Sequence, residues 1–282
     1  MSTVFASLHE AQSFLDHNPD IEMFELFILD SNGVPRGKLL HRDELLAVYA
    51  SGRPLPSTIL GLTLNGDDVE NSGLVWEVGD IDCRAYPISG SLQRMPWRLI
   101  PTAAVQVSMH PEEGLPATVA DPRHLLSRVI DGLKADGYYP VMAAELEFYL
   151  LDQKPDSNGR PQPARDVDGG RPRSTQVYGL RELEQIEPFL ADLYSACKLQ
   201  GIPARTAISE YAPGQVEITL EHRSDALQAM DEAVRYKRLV KGVAHKHGMT
   251  ACFMAKPFDD LAGTGMHMHV SLADADGNNL FA

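Results

Sequence analysis

The amino-acid sequence predicts an α+β protein with a small sheet module followed by a larger module of sheet and long helices. Two observations predict this class. Residues 1–112 alternate short apolar strand candidates with turn residues and short helices, a pattern typical of a small α+β module. Residues 113–282 place longer amphipathic helices between further strands. The segment Pro-Glu-Glu-Gly-Leu-Pro-Ala at 111–117 lies between these two predicted domains and is the best linker candidate.

The predicted elements of the first domain follow from local patterns. They are a helix over 6–17, strands over 21–29 and 36–40, a helix over 43–51 and a strand over 101–109. The segment Asp-Ser-Asn-Gly-Val at 30–34 is typical of a turn, so it predicts a hairpin between the first two strands. Asp43 is an acidic candidate for the cap of the second helix, which ends near Gly52.

The second domain is predicted to contain a sheet with long helices packed on it. Its elements are a helix over 121–137, a strand over 141–151, a loop over 153–173, helices over 179–200 and 224–248 and a strand over 249–256. The first helix has Asp121 at its cap and Pro122 in its first turn, followed by leucine and valine at helical spacing.

Composition indicates a globular protein, and the charge disfavours two kinds of partner. Of 282 residues, 44% are hydrophobic and 23% charged, as in ordinary globular domains. There are 39 acidic and 25 basic residues, for a formal net charge of −14. This charge argues against a nucleic-acid partner and against an anionic membrane surface. A cationic ligand or a metal ion would suit it better.

Cysteine usage and the N-terminus bear on the compartment. Cys83, Cys197 and Cys252 are widely spaced and form neither a CxxC pair nor a zinc pattern, which indicates a reducing environment. The N-terminal segment lacks the basic stretch and apolar core of a secretory signal. No run approaches the ~18 apolar residues of a membrane span. We therefore expect a cytoplasmic protein with no membrane partner.

Two carboxylates stand side by side in one predicted strand. Glu145 and Glu147 are separated by one residue in an apolar run, so they share one face while Leu146 and Phe148 occupy the other. A buried carboxylate pair must hold a proton or bind a cation. The alternative is the solvated outer face of an ordinary strand.

A second carboxylate pair flanks a predicted hairpin tip. Pro213-Gly214 is typical of a turn, and a hairpin closed by these two residues would place Glu210 opposite Glu217. Like charges directly opposite each other destabilise a strand pair. Two such pairs in one chain favour a cation site over coincidence.

The stretch 263–271 completes the candidate site. Its alternating residues place His267, His269 and Ser271 on one face of a strand. Gly263 and Gly265 precede this strand and allow the backbone to approach a ligand closely. An ordinary half-buried strand with polar residues facing water is the alternative. Glutamate oxygens and imidazole nitrogens without a thiolate favour Mg²⁺ or Mn²⁺ over structural zinc.

These motifs, in this order, resemble the glutamine synthetase family, and specifically its branch that includes gamma-glutamylpolyamine synthetases. The resemblance runs from about residue 20 to the last residue. The segments that carry it are Asp30-Ser-Asn-Gly-Val-Pro-Arg-Gly-Lys38, Met95-Pro-Trp97, Glu145-Leu-Glu147, Glu210-Tyr-Ala-Pro-Gly-Gln-Val-Glu217, Phe253-Met-Ala-Lys-Pro257 and Gly263-Thr-Gly-Met-His-Met-His-Val-Ser271.

The resemblance implies a fold, an assembly and a set of site residues. It implies a β-grasp-like N-terminal domain, a catalytic domain of curved antiparallel sheet, and a homo-oligomer, in the family a dodecamer with two divalent ions between neighbouring subunits. One ion would be held by Glu147, Glu210 and Glu217, and the other by Glu145 and His267. ATP would contact His269 and Ser271, and substrate glutamate the Gly263 backbone. No catalytic residue beyond these metal ligands is implied in this chain.

The implied activity is ATP-dependent ligation of the glutamate γ-carboxylate to an amine through a γ-glutamyl phosphate. Two departures from glutamine synthetases favour a polyamine or another organic amine over ammonia. Ala262 stands where those enzymes have an asparagine that helps hold glutamate, and residues 57–64 lack the carboxylate that captures ammonium. A glutamine synthetase using ammonia and a non-catalytic structural member of the family are the alternatives.

The C-terminus is a further departure from the family pattern. The chain stops at Ala282, where the resembled family continues with the rest of its catalytic domain. We therefore expect the catalytic domain to be truncated on its C-terminal side and the 282-residue chain to be inactive on its own.

Overall fold

The computed structural model describes residues 5–109 and 117–282. Residue contacts divide the chain into two compact units, Met1–Asp136 and Gly137–Ala282. Each unit combines a β-sheet with helices, so the predicted α+β class is confirmed. The predicted linker lies outside the described residues apart from Ala117, and the predicted domain boundary after residue 112 stays a prediction.

The first unit is built on one mixed sheet. Its strands are β1 (Met23–Leu29), β2 (Pro35–His41), β3 (Arg53–Pro56), β4 (Asp82–Pro87), β5 (Gln93–Arg94) and β6 (Thr102–Met109). Their order is β2-β1-β6-β4-β3, with β5 also paired to β6. Strand β1 is parallel to β6, and it forms with β2 the antiparallel hairpin that the Asp-Ser-Asn-Gly turn predicts.

The helices of the first unit are α1 (Leu8–His17), α2 (Leu45–Ser51), α3 (Ala117–Ala120) and α4 (Pro122–Ala135). All eight residues of β6 are buried, because the strand lies in the middle of the sheet. Cys83 of β4 is 2% exposed and belongs to the hydrophobic core that also contains Val105 and Val107 of β6. As predicted, Asp121 caps α4: its side chain accepts hydrogen bonds from the Arg123 and His124 amides.

The second unit is built on an antiparallel sheet. Its elements are β7 (Tyr139–Asp152), α5 (Leu180–Glu184), α6 (Glu187–Leu199), β8 (Ala204–Ser209), β9 (Gln215–Leu220), α7 (Ala226–Lys246), β10 (Met249–Cys252) and β11 (Met266–Ala273). The order is β10-β7-β9-β8, and β11 also pairs with β7. Every strand pair is antiparallel.

The long strand β7 has two different faces. Leu146, Phe148 and Leu150 lie on one face and are buried. The rings of Phe148 and Phe189 of α6 meet edge to face, with their centroids 6.3 Å apart. Helix α7 packs beside α6 and against β7. The opposite face carries the carboxylates of Glu145 and Glu147. The helices therefore supply the core under the sheet and leave the acidic face free for a site.

One edge of β7 is shared by two strands, which corrects the predicted length of the strand over 249–256. Residues 149–152 of β7 pair with β10, and residues 139–146 pair with β11. Strand β10 ends at Cys252, and the chain leaves this edge there. The intervening loop then returns it to the same edge as β11.

The predicted helix over 179–200 is also corrected, because it consists of two helices. Helix α5 ends at Glu184 and α6 begins at Glu187. Pro188 lies in the first turn of α6. Its ring cannot donate a backbone hydrogen bond and would clash with the carbonyl four residues earlier in a continuous helix. Proline is therefore compatible with the start of α6 and not with one long helix.

Cys197 of α6 is buried at 1% exposure, and Cys252 is partly exposed. Among the helices of the described ranges, none is both long and apolar enough to cross a membrane.

Candidate functional site

Three neighbouring strands place acidic and imidazole side chains next to one another on the open face of the second sheet. Across the β7–β9 ladder, Glu147 lies directly opposite Glu217. Across the β7–β11 ladder, Glu145 lies directly opposite His267. Directly opposed residues have neighbouring side chains on the same face. The register of the strands therefore brings these four residues together through the backbone pairing itself.

The predicted pairing of Glu210 with Glu217 across a two-residue hairpin is wrong. Gly214 has a φ of 77° and follows Pro213, as at the centre of a type II turn. A type II turn does not match the twist of a two-residue hairpin. The ladder closes outside the turn instead: the Glu210 amide donates to the Gln215 carbonyl at 2.9 Å, and Glu217 lies opposite Ile208.

The structure nevertheless brings all five predicted ligand residues together, in two groups. In each group one ligand atom per residue lies within 4.8 Å of the others. The members of the first group are Glu147, Glu210 and Glu217, and the members of the second are Glu145, Glu217 and His267. Glu217 belongs to both groups, which the sequence did not predict.

Burial and mutual repulsion make the acidic cluster unfavourable when all its members are ionised. Burial, followed by the charges of Glu145, Glu210 and Glu147, raises the pKa of Glu217 to about 7. Burial, followed by the charge of Glu147, raises the pKa of Glu210 above its ordinary value. Both carboxyls would be stabilised as carboxylates by a cation placed between them.

The donor set fits a divalent metal ion. Carboxylate oxygens and one imidazole are the ligands that Mg²⁺ and Mn²⁺ accept, and neither group contains a thiol. A divalent ion would also remove the repulsion between the directly opposed Glu147 and Glu217. The residues therefore fit the ion in both charge and donor chemistry.

His269 and Ser271 continue along the same face of β11, beyond His267. His269 Nε2 lies 2.8 Å from Glu145 Oε1, and His267 Nδ1 lies 3.4 Å from Glu145 Oε2. The Ser271 hydroxyl donates to Asn279 Oδ1 at 3.0 Å. Both residues line an open hollow beside the acidic cluster, together with Val141, Ala143, His222 and Leu272.

The glycines before β11 allow the backbone to approach the cluster closely. The Gly265 amide donates to Glu147 Oε2 at 2.8 Å. A Cβ atom at Gly265 would lie 2.6 Å from Glu147 Oε1, so any side chain there would displace the carboxylate. A Cβ atom at Gly263 would lie 3.0 Å from the Ala255 carbonyl. A side chain at Gly265 would therefore disturb Glu147, and one at Gly263 would require a small shift of the neighbouring backbone.

Two polar residues of the site were missed by sequence reasoning, Gln215 and Tyr149. Gln215 hydrogen-bonds to Glu147 and to the Gly263 carbonyl. The Tyr149 hydroxyl donates to the Ala262 carbonyl at 2.5 Å. The spacing offered a signal, because Tyr149 follows Glu147 by two residues and Gln215 precedes Glu217 by two, so each shares a face with a site carboxylate.

Comparison with known proteins matches residues 119–282 to the family described as "Glutamine synthetase, catalytic domain". Gamma-glutamylputrescine synthetase PuuA of Escherichia coli (strain K12) is 36% identical to the chain, covering 98% of it and 58% of that relative. A glutamate–isopropylamine ligase of Pseudomonas sp is 32% identical, covering 94% and 57%. The solved structure of a GmaS/ADP complex superposes with a TM-score of 0.78 at 28% identity, covering 96% and 57%. The chain thus spans a little over half the length of these proteins.

Proposed function

The chain belongs to the glutamine synthetase family, and from this premise we propose that the protein is an ATP-dependent ligase joining the γ-carboxylate of glutamate to an organic amine. The observation that carries the proposal is the pair of donor groups at the acidic face of the second sheet. These donors lie on the segments that resemble the family's motifs. When all of these closely placed carboxylates are ionised, a cation would stabilise them, and the family chemistry uses cations in this position.

Two divalent ions, Mg²⁺ or Mn²⁺, would be held by this chain's own side chains. Glu147, Glu210 and Glu217 would hold one ion. Glu145 and His267 would hold the other, and Glu217 lies close enough to contribute to it. If bound there, the ions would neutralise phosphate charge and help to align ATP for in-line transfer.

The proposed reaction has two displacement steps. An oxygen of the glutamate γ-carboxylate attacks the γ-phosphorus of ATP, the bond to the β-phosphate oxygen breaks, and ADP leaves. The neutral amine nitrogen then attacks the γ-carbonyl carbon, the bond from that carbon to the phosphate oxygen breaks, and the amine loses one proton. The products are a γ-glutamyl amide and inorganic phosphate. The carboxylates of this chain act as metal ligands in this scheme and not as proton carriers.

The binding roles proposed for the remaining residues follow their position on β11. His269 and Ser271 line the hollow beside the cluster, where ATP would bind. The Gly263 backbone lies at the entrance to β11 and would contact glutamate. Gln215 Nε2 donates both to the Gly263 carbonyl and to the Glu147 carboxylate, so the proposed glutamate and metal positions would be neighbours.

An organic amine is favoured over ammonia by two observations. Ala262 has no side-chain amide, and its carbonyl accepts a hydrogen bond from Tyr149. The similar proteins from Escherichia coli and Pseudomonas sp are named for putrescine and isopropylamine. Ammonia as the substrate is the second candidate function, and a non-catalytic structural role is the third.

The metal part of the proposal is tested by thermal unfolding. Mn²⁺ is expected to raise the melting temperature of the protein by mass action, and Glu147→Ala is expected to reduce that rise, because one of the two proposed metal positions loses a ligand. A melting temperature that does not respond to Mn²⁺, with ATP present or absent, would favour the non-catalytic role.

The catalytic part is tested by phosphate release from the full-length protein with ATP, Mg²⁺, glutamate and a panel of amines. The panel holds ammonium, putrescine, spermidine, spermine, ethanolamine and simple alkylamines. Release with an organic amine and little with ammonium would support the proposed activity and identify the substrate. A preference for ammonium would assign glutamine synthetase activity instead.

The proposal includes assembly into a homo-oligomer. Support comes from the family resemblance, which implies that neighbouring subunits complete each site. Sedimentation velocity of the full-length protein measures the assembly directly, and a monomer at working concentrations would contradict it.

A further inference from the structure

Gln215 is a buried amide at the centre of the candidate site, at the first position of β9. Its exposure is 2%, and it lies directly opposite Tyr149 on β7. Buried amides need hydrogen-bond partners for all their polar atoms. The partners of Gln215 therefore indicate what its position requires.

In the Gln215 side-chain amide, the nitrogen has only hydrogen-bond acceptors as partners and the oxygen has only a donor. Gln215 Nε2 donates to Glu147 Oε2 at 2.7 Å and to the Gly263 carbonyl at 2.9 Å. Gln215 Oε1 accepts from the Ala212 amide at 3.1 Å. The orientation of the amide is unambiguous, because a carboxylate and a carbonyl can only accept and a backbone amide can only donate.

These bonds fix one oxygen of Glu147. Oε2 accepts from both Gln215 Nε2 and the Gly265 amide. The two donors hold the Glu147 carboxylate next to the loop at 263–265. In the first donor group, one ligand atom of Glu147 lies within 4.8 Å of one from Glu210 and one from Glu217. Hydrogen bonds from outer partners commonly orient metal-binding carboxylates in this way.

The opposite residue Tyr149 provides a natural comparison. It is fully buried, and its hydroxyl holds the same loop through the Ala262 carbonyl. Its hydrogen bond does not involve Glu147. Tyr149 and Gln215 therefore share the task of holding the loop, and only Gln215 of the two also bonds to the carboxylate.

We propose that Gln215 is a positioning residue that orients Glu147 for metal binding, by donating to Glu147 Oε2 while it is itself anchored by the Gly263 carbonyl and the Ala212 amide. This inference rests on the proposed function, in which Glu147 is a metal ligand. Gln215 would thereby affect one of the two proposed metal positions, the one formed by Glu147, Glu210 and Glu217. The position formed by Glu145 and His267 does not depend on Gln215.

The test is a Mn²⁺ titration of the full-length protein by isothermal calorimetry. Gln215→Met keeps the length of the side chain and removes both donors, and it is expected to raise the Kd of one Mn²⁺ site by about 10–100-fold while the other site is unchanged. Gln215→Asn, whose amide is too short to reach Glu147, should weaken the same site and serves if the Met variant fails to fold. Tyr149→Phe removes only the bond to Ala262 and should leave both Kd values as in the parent.

The outcomes separate this inference from the proposed function. Glu147→Gln should abolish the same Mn²⁺ site. If Glu147→Gln abolishes it and the folded Gln215 variants bind Mn²⁺ like the parent, the role of Gln215 is overturned and the metal assignment stands. If Glu147→Gln itself binds like the parent, the metal assignment falls and the role of Gln215 with it. Equal weakening of both sites, or weakening by Tyr149→Phe, would indicate a general structural effect and would also overturn the inference.

Discussion

Glu217 is the residue that links the two donor groups of the candidate site, because it belongs to both. It is 7% exposed and lies directly opposite Glu147. Its carboxylate is therefore both poorly hydrated and repelled, which raises its pKa to about 7 from an ordinary value of 4.5. In the absence of a cation, the folded state is destabilised whenever this group is ionised.

Replacing this carboxyl by a neutral amide should stabilise the metal-free protein. Between pH 4.5 and about pH 7, Glu217 holds a proton in the folded state that it has lost in the unfolded state. The parent's free energy of unfolding therefore falls as the pH rises through that range. Glu217→Gln is therefore expected to melt at a higher temperature than the parent above pH 7, with the difference vanishing below pH 4.5. Calorimetry in the presence of a chelator measures it.

Addition of Mn²⁺ provides the control for this prediction. The parent should then gain stability by binding, whereas Glu217→Gln lacks a ligand common to both groups and should gain little. The order of the two melting temperatures should reverse. A variant that melts below the parent at every pH without metal would contradict the argument.

The sequence predicted the residues of the site better than their mutual arrangement. Glu145 and Glu147 could be placed on one face because strand periodicity is local. The pairing of Glu210 could not, since it depended on the type of turn at Gly214. Spacing places Gln215 on the same strand face as Glu217, but its hydrogen bond to the Gly263 carbonyl, 48 residues away, has no signal in the sequence.

At the scale of elements, one loop pattern occurs repeatedly in the described part of the chain. It is Asp-x-Asn/Asp-Gly, and it begins at Asp30, Asp156, Asp166 and Asp274. In each loop the aspartate Oδ1 accepts from the amides two and four residues later, and the glycine has a φ between 71° and 85°. Such loops are fixed by local bonds, which is why the first hairpin could be predicted.

A partly buried ion pair, which periodicity does not reveal, connects α7 to the sheet in addition to the buried apolar residues of the helix. Glu232 of α7 has a side-chain exposure of 2%. It accepts from Arg223 Nε at 3.0 Å, from Arg223 Nη2 at 3.1 Å and from Gln228 at 2.9 Å. The Arg223 backbone forms a bridge with Met142 of β7. This pair therefore connects the first turns of α7 to the central strand.

Removing Glu232 should destabilise the second unit. Glu232→Ala leaves Arg223, whose side chain is 32% exposed, without its carboxylate, and we expect a loss of about 2 kcal/mol in the free energy of unfolding, measured by chemical denaturation. Glu221→Gln is the matched control, because it removes an exposed ion pair with Arg205, and exposed pairs contribute little. Similar losses in the two variants would contradict the assigned importance of burial.

At the scale of the whole molecule, the sequence predicted two parts, and residue contacts also divide the chain in two. The contacts assign α4 to the first unit. A side chain explains this: Asp121, the cap of α4, accepts from the Ser108 hydroxyl at 2.7 Å and from the Met109 amide at 3.0 Å, both at the end of β6. The composition-based boundary at residue 112 does not draw on this hydrogen bonding and stays a prediction.

Each unit also contains one deeply buried cysteine, Cys83 in the first and Cys197 in the second. Burial raises the pKa of Cys197 to about 12, and thiols react with alkylating reagents as thiolates. We expect both to stay unmodified in the native protein and each to react once its own unit opens, with the partly exposed Cys252 reacting first. Pulsed alkylation during denaturation, read by mass spectrometry, measures this, and rapid labelling of Cys83 or Cys197 under native conditions would contradict it. The two sulfur atoms would then record the order in which the two halves of the molecule unfold.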